Sequence, residues 1–341
     1  MKLAIVGITG VVGEMLLRIL DERKIPVTKL DGFASRDREE TIPFRDLEIV
    51  VRAATPAALS AGGYDAVLFA SSDDASAALA EACVQSGAFV IDNSATFRMD
   101  PQAPLLVPEV NPQALTSEHK ILPVANCTAI VLCVGIAPIN AVAGLKTVRV
   151  ATYQAVSGAG RSGLDELAAG ESALSQGAVE PLPKAFVAPI ARNVIPQVGS
   201  FDAHGDSGEE RKLAEETRKI LGLPELHIAA TTVRVPVRYA HSEAVFVETE
   251  RDTSVEELSA ALAKAPGVVF HPDGVVTPRD VEGTDLVHVA RLRSESGSKR
   301  HFQLWVVGDQ VRKGAATNAV QLLELLVTTG RIRSSIHETV I

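Results

Sequence analysis

Three glycines at intervals of three, Gly7, Gly10 and Gly13, join an apolar run from Leu3 to a helical pattern spanning Val11 to Leu20. A strand that passes directly into a helix through so tight a turn needs positions without side chains, because the elements pack closely there. The same turn aims backbone N–H groups and the positive helix end at a space that suits a pyrophosphate. Gly7, Thr9, Gly10, Val11, Val12 and Gly13 are therefore candidate dinucleotide contacts; close helix–strand packing is the alternative use of such glycines. The alternation continues with Ala66 to Ala70, Ala75 to Gln85 and Ala88 to Asp92. Repeated βαβ units of this kind predict a parallel sheet covered by helices, a Rossmann-like domain.

From Thr147 onward the pattern changes. Val148, Val150 and Thr152, then Val233, Val235 and Val237, then Val245 and Val247 alternate in strands, and helices become fewer. This predicts an α+β domain built on a mixed sheet with one face covered. The chain's 341 residues suffice for two domains. The expected division is 1–126 together with 315–341, the last helix returning to the first domain, and 127–314 as a catalytic and dimerisation domain.

Composition narrows the partners. Thirty-three Lys and Arg against 42 Asp and Glu leave a net charge of −9, which argues against a nucleic-acid groove or an anionic membrane surface and makes any anion site local. No apolar run reaches the roughly 20 residues of a membrane span. Cys83, Cys127 and Cys133 form neither a disulfide framework nor a metal-ligand spacing, so no metal is expected and a reducing cytoplasm fits.

Cys127 follows Asn126, a natural N-cap, and opens the helical run Thr128 to Ile136. Unpaired N–H groups and the helix dipole favour a thiolate there, which makes Cys127 a candidate nucleophile; the alternative is a buried small hydrophobe like Cys133. Gln154 shares a strand face with Thr152 and can point into a cleft. Arg234 and His241 are seven residues apart, so they share a pocket only if the chain bends at Pro236. Arginine offers a planar fork for a carboxylate, and histidine a pKa suited to proton transfer. Glu209 and Lys212 share one face of an amphipathic helix, where a surface ion pair is the simple reading. Arg98 follows a strand end. After the second strand, Ser35, Arg36 and Arg38 suit the 2′-phosphate of NADP, whereas Asp31 and Asp37 keep NAD open.

In order along the chain stand the glycine turn, Asp92-Asn93-Ser94 with Phe97-Arg98, Val107 to Asn111, Asn126-Cys127-Thr128, Ala151 to Gly160, Asn193 to Gln197, Arg234 to Val237 with His241 to Ala244, and Lys313 to Ala316. This ordered set resembles the aspartate-semialdehyde dehydrogenase family over nearly the whole length. The resemblance implies reversible NADP-dependent conversion of aspartyl phosphate to aspartate semialdehyde through a Cys127 thioester, in aspartate-family amino-acid biosynthesis. It implies His241 as acid and base, Gln154 orienting the intermediate, Arg234 on the substrate carboxylate and Glu209 on its ammonium. Arg98, Lys212 and Asn126 would hold phosphate, Ser71 and Gly158 would add cofactor contacts, and Asn318 would meet the nicotinamide amide. It also implies a cytoplasmic homodimer. The chain departs from the family pattern in the loop after Ser35, at Ala129 and Val131 after the cysteine, and at Ser71 to Asp74, which lacks the usual glycines. A related reading is another phosphorylating aldehyde dehydrogenase, but an N-acetylglutamyl-phosphate reductase would carry Gly-Cys-Tyr, and a glyceraldehyde-3-phosphate dehydrogenase Ser-Cys-Thr-Thr-Asn, at the cysteine. A non-catalytic cofactor-binding paralogue would have no need of Cys127, Gln154, Arg234 and His241 together.

Overall fold

The computed structural model describes residues 1–39 and 41–333; Glu40 of the second-strand loop and residues 334–341 of the expected first domain lie outside them. The chain forms two compact units, one containing residues up to Ala125 and from Ala315 onward, the other Asn126–Gly314. Asn126 thus falls in the second unit, one residue from the boundary read in the sequence.

In the first unit the strands are β1 (Lys2–Val6), β2 (Lys29–Ala34), β3 (Thr41–Phe44), β4 (Leu47–Ala53), β5 (Ala66–Phe69), β6 (Phe89–Asp92) and β7 (Ile121–Pro123). They form one sheet in the order β3-β4-β2-β1-β5-β6-β7, antiparallel only between β3 and β4. β1 and β5 are fully or almost fully apolar and buried, as a parallel sheet covered on both faces requires. Around it lie α1 (Val11–Glu22), α2 (Pro56–Ala61) and α3 (Asp73–Gln85), with the returning C-terminal helix described below. Thr55 and Ser72 cap α2 and α3 through their hydroxyls. The strand order reverses between β1 and β5, the place where open sheets of this type leave a crevice beyond their C-terminal ends.

The second unit opens with α4 (Cys127–Ala143). It is apolar nearly all round and buried along most of its length, the signature of a core helix rather than a surface one. The helix continues through Pro138 instead of stopping there. Packing of its largely apolar surface compensates for the one missing backbone hydrogen bond. The strands β8 (Leu145–Gln154), β9 (His227–Arg234), β10 (His241–Thr249), β11 (Val268–His271), β12 (Val287–Ser294) and β13 (His301–Gly308) build a mixed sheet in the order β11-β12-β13-β10-β8-β9. Helices α4, α6 (Gly208–Leu221) and α7 (Val255–Leu262) pack against this sheet, and α5 (Gly160–Ser175) and α8 (Pro278–Val281) complete the unit. Val131, one of the family departures, is fully buried, and a side chain on Gly308 would stand 2.6 Å from it. The apolar residue there is part of the core.

The returning helix α9 (Thr317–Thr328) lies in the first unit. It is tied there by a two-pronged Arg23–Glu324 pair at 2.9 and 2.7 Å.

Candidate active site

The N-terminus of α4 is prepared for an anion. Asn126 caps it, its side-chain oxygen accepting from the N–H of Thr128 at 2.9 Å and of Ala129 at 3.4 Å. Cys127 is the first helical residue and half-buried, so its sulfur sits at the positive end of a 17-residue helix. Cys133, nearly two turns on, is fully buried and its pKa is pushed far up by desolvation. One helix thus carries a thiol at its positive end and another whose ionisation burial opposes. Gly314 closes against the first of them: a Cβ there would stand 2.8 Å from the Cβ of Cys127.

Sheet register gathers the partners. Gln154 ends β8, the strand lying between β9 and β10. Arg234 is its direct partner on β9. On the other side Ser242 of β10 pairs with Tyr153, which brings the preceding His241 level with Gln154. The bend expected at Pro236 is present: the chain leaves β9 at Arg234, turns through a left-handed Ala240 (φ 66°), and re-enters as β10 at His241. Gln310 braces that turn, accepting from the Ala240 N–H at 2.9 Å while its amide donates to Ser157.

The peptide of Ala155 links two of these groups. Its N–H donates to Nδ1 of His241 at 3.0 Å, and its carbonyl accepts from Nη1 of Arg234 at 2.7 Å. Gly158 lies over both side chains: a Cβ there would be 2.8 Å from Nη1 of Arg234 and 3.3 Å from Nε2 of His241. Burial lowers the pKa of Arg234, opposed by the charges of Cys127 and Glu209. His241 is held well below its ordinary value by burial and then by the charge of Arg234.

The surface ion pair expected for Glu209 and Lys212 is not what α6 presents. Lys212 is exposed, but Glu209 is buried and faces the head of α4. Its Oε1 accepts from the amides of Asn126 and Gln154, both at 3.0 Å. These contacts leave Oε2 for a ligand. Two turns along, Glu216 accepts from the N–H of Asn126 at 2.5 Å. Glu216 and Gln310 lie outside every motif read in the sequence, and Thr128 and Ala155 stand inside motifs that gave them no role of their own. Glu216 alone left a signal, being seven residues from Glu209 and hence on the same helix face.

The first unit supplies the remaining candidates. Gly7 has φ +84°, and a Cβ on it would meet the Ala70 carbonyl at 2.2 Å; on Gly13 a Cβ would meet the Gly7 carbonyl at 2.3 Å. Gly10 caps α1 without a side-chain hydrogen bond and is exposed, and Thr9, Val11 and Val12 beside it are half-buried. In the loop after β5 the hydroxyl of Ser71 is buried without a partner. A backbone cradle, an uncovered helix start and an orphaned hydroxyl fit a dinucleotide phosphate.

Beyond β2, Ser35 and Arg36 are exposed and Arg38 partly so. Both nearby acids have other work: Asp37 accepts from the N–H of Ala53 at 2.7 Å, and Asp31 holds the hydroxyl of Tyr64 at 2.6 Å and Lys29 at 2.7 Å. Arg98 is buried, donating to the carbonyls of Val124 and Asn93 at 2.9 and 2.8 Å. Asn318 is fully buried and donates to the Leu106 carbonyl at 3.1 Å. Among the described residues, no group of three or more His, Cys, Asp or Glu side chains is placed to hold a metal ion.

Comparison with known proteins adds an independent line. Residues 2–118 match the family model for the semialdehyde dehydrogenase NAD binding domain, and residues 136–313 that for the semialdehyde dehydrogenase dimerisation domain. The chain is 41% identical to the aspartate-semialdehyde dehydrogenase of Aquifex aeolicus over 338 residues, covering 97% of this chain and 99% of that one. It is 38% identical to the Bacillus subtilis enzyme of the same name over 340 residues, covering 96% and 97%. A crystal structure of aspartate semialdehyde dehydrogenase II from Vibrio cholerae, complexed with ASA, superposes with a TM-score of 0.92 at 39% identity, covering 96% of this chain and 98% of that one. With both sequence models matched in order and the relatives aligned end to end, the chain belongs to the aspartate-semialdehyde dehydrogenase family.

Proposed function

We propose that the protein converts L-aspartyl 4-phosphate reversibly to L-aspartate 4-semialdehyde with NADPH, through a thioester on Cys127, in the biosynthesis of lysine, threonine and methionine. The observation that carries this reading is the placing of Gln154 between Arg234 and His241, with Glu209 joining it to the capped head of α4. The Cys127 thiolate attacks the acyl carbon, the C–S bond forms, and the C–O bond to phosphate breaks. A thioester is far more electrophilic than a carboxylate, which is the use of a covalent step. When bound, NADPH would supply the hydride that reduces it.

The substrate is held by its charges. Arg234 takes the α-carboxylate through its fork, and Oε2 of Glu209 takes the ammonium. Gln154 orients the tetrahedral intermediate beside His241. Asn126, Lys212 and Arg98 serve the phosphate, and Asn318 and Gly158 serve the nicotinamide side. Gly7, Gly10 and Gly13 with the start of α1 hold the pyrophosphate, and Ser71 adds a hydroxyl. Ser35, Arg36 and Arg38 receive the 2′-phosphate. The engagement of Asp31 and Asp37 elsewhere supports NADP over NAD, because a ribose diol needs a carboxylate at that place.

A cytoplasmic homodimer completes the proposal. Tyr153 and Phe246 are 37% and 42% exposed on the face of the second sheet opposite α4, and Tyr153 packs on Trp305 with ring centroids 5.5 Å apart. An aromatic patch of this kind suits a second copy. Phosphate-dependent reduction of NADP by L-aspartate 4-semialdehyde tests the activity. The N-acetylated aldehyde is expected to be a poor substrate, and equal or better turnover with it would remove Glu209 as the ammonium partner and the proposed substrate with it.

A further inference from the structure

Helices α6 and α7 close their N-termini with an acid of their own. In α6 the Ser207 hydroxyl accepts from the Glu210 N–H at 3.3 Å, while the Glu210 carboxylate accepts from the Ser207 N–H at 2.7 Å. In α7 Ser254 and Glu257 exchange the same two bonds, both at 3.2 Å. Each is a capping box, which ties the residue before the helix to the third residue within it. Helix α4 cannot build one. Asn126 makes the forward half by accepting from Thr128 and Ala129, but the third helical residue is Ala129 itself, whose methyl group has nothing to return. The N–H of Asn126 lies ahead of the helix ladder in a buried residue, so it needs an acceptor from elsewhere in the fold.

Glu216 supplies it from α6. Its Oε2 accepts the Asn126 N–H at 2.5 Å, and the residue is 1% exposed. Helix α6 packs on α4, and the charge of Glu216 is felt as far along as Cys133. Seven residues make two turns, so one face of α6 meets Asn126 twice: Glu209 takes its side-chain amide and Glu216 its backbone N–H. The Asn126 carbonyl accepts from Ile130 at 2.9 Å. With its side chain and the peptides on either side all held, Asn126 gives the Cα–Cβ bond of Cys127 a fixed direction. Glu216 is not there to promote the thiolate, because a negative charge at the head of α4 opposes a second one on sulfur. Its use is the placing of the chain.

We propose that Glu216 is a positioning residue for Cys127: it completes the cap of α4 from a neighbouring helix and so fixes the line along which the sulfur meets the acyl carbon. The proposal rests on the reaction given above. Attack needs the two atoms about 3–3.5 Å apart and aligned. A loosened first turn of α4 loses that alignment while Arg234 and Glu209, on other elements, still hold the charges of the substrate. Loss of the contact therefore falls on kcat and not on KM.

Two variants separate the hydrogen bond from the charge. Glu216→Gln and Glu216→Ala both remove the charge, but only glutamine keeps an oxygen that can accept the Asn126 N–H. With L-aspartate 4-semialdehyde, phosphate and NADP, the alanine variant is expected to lose ~10- to 100-fold in kcat with KM for the aldehyde within about threefold, and the glutamine variant to recover most of the loss. Equal kcat in the two variants, or a loss carried by KM alone, overturns the proposal. The contact is also read without turnover, from hydrogen exchange of the Asn126 amide in intact ¹⁵N-labelled protein. That amide should exchange at least about 100-fold more slowly than an unprotected one in wild type and in Glu216→Gln, and lose its protection in Glu216→Ala. Should the alanine variant not fold, an unprotected Asn126 amide in wild type, or a folded glutamine variant that loses kcat by more than about tenfold, still overturns the proposal. Wild-type protein inactive on the semialdehyde would instead sink the proposed reaction, and the amide exchange would still decide whether Glu216 holds Asn126.

Discussion

In the first unit the candidate ligand site is made of backbone: Gly7, Gly10 and Gly13 clear space for a phosphate, and the start of α1 offers N–H groups. In the second unit it is made of side chains from five separate stretches: Cys127 and Asn126, Gln154, Glu209, Arg234 and His241. The pyrophosphate cradle binds charge with groups that carry none, so in a protein of net charge −9 it needs no cation of its own, and the arginines beyond β2 are left for the 2′-phosphate. The second gathers an arginine, a thiol, a carboxylate and an imidazole, where the thiol and the carboxylate act on the ionisation of the arginine and the arginine on that of the imidazole. Binding by backbone tolerates little change at a few positions; chemistry by side chains tolerates little change in their relative placing.

The division predicts that each site can be broken alone, and the largest expected effect is at the sulfur. Cys127→Ser should lower turnover by on the order of 10⁴-fold or more, as loss of a covalent nucleophile does. NADP binding, followed by fluorescence titration, should change little. Undiminished turnover would remove the covalent route. A large loss of NADP affinity would show that the two sites are not separable.

Gly7→Ala breaks the other side. At φ +84° a side chain costs about 1–2 kcal/mol before any clash, and here the Ala70 carbonyl stands 2.2 Å from the new Cβ. Cofactor affinity should fall at least about tenfold with a lower melting temperature. The alkylation rate of Cys127 by iodoacetamide should stay near wild type, since the thiol belongs to the other unit. Unchanged NADP affinity would remove the turn as the pyrophosphate site.

The contrast also explains what the sequence discloses. The glycine turn is legible because strand, turn and helix are contiguous, so local spacing carries the geometry. Cys127 is legible for the same reason, its cap being the residue before it. Arg234 and His241 lie only seven residues apart, yet their convergence depends on flanking β8 from opposite sides, which no period in their own segment encodes. Glu209 reads as half of a surface pair because a helix wheel shows which residues share a face and not which face is buried. Ala155 leaves no side-chain signal at all, since it acts through its peptide group.

Smaller effects should sharpen the cofactor side. Arg36→Ala is expected to raise KM for NADP about tenfold and leave KM for NAD unchanged, through loss of one charge-assisted contact to the 2′-phosphate. Steady-state measurement with both cofactors decides this; equal loss for both would make Arg36 a general surface charge and leave Arg38 as the candidate.

The smallest expected effect concerns stability, and it separates the buried acid from the imidazole two residues away. Glu243 is fully buried and neither carboxyl oxygen has a hydrogen-bond partner. Burial raises its folded pKa well above the ordinary value of 4.5. A group raised in the folded state gives its full contribution below the unfolded pKa and loses it as pH climbs toward the folded one. Glu243 therefore costs the protein stability progressively above pH 4.5. His241 works in the opposite window: its folded pKa is depressed, so its contribution is complete above 6.5 and is lost as pH falls. Glu243→Gln copies the protonated acid in shape and removes only the first dependence, whereas the histidine's influence is common to both proteins and cancels. The variant should match wild type near pH 4.5 and melt higher by pH 8, by about 2–4 °C for each kcal/mol recovered. Parallel melting curves across that range would mean that the carboxyl is solvated in solution and that burial does not raise its pKa.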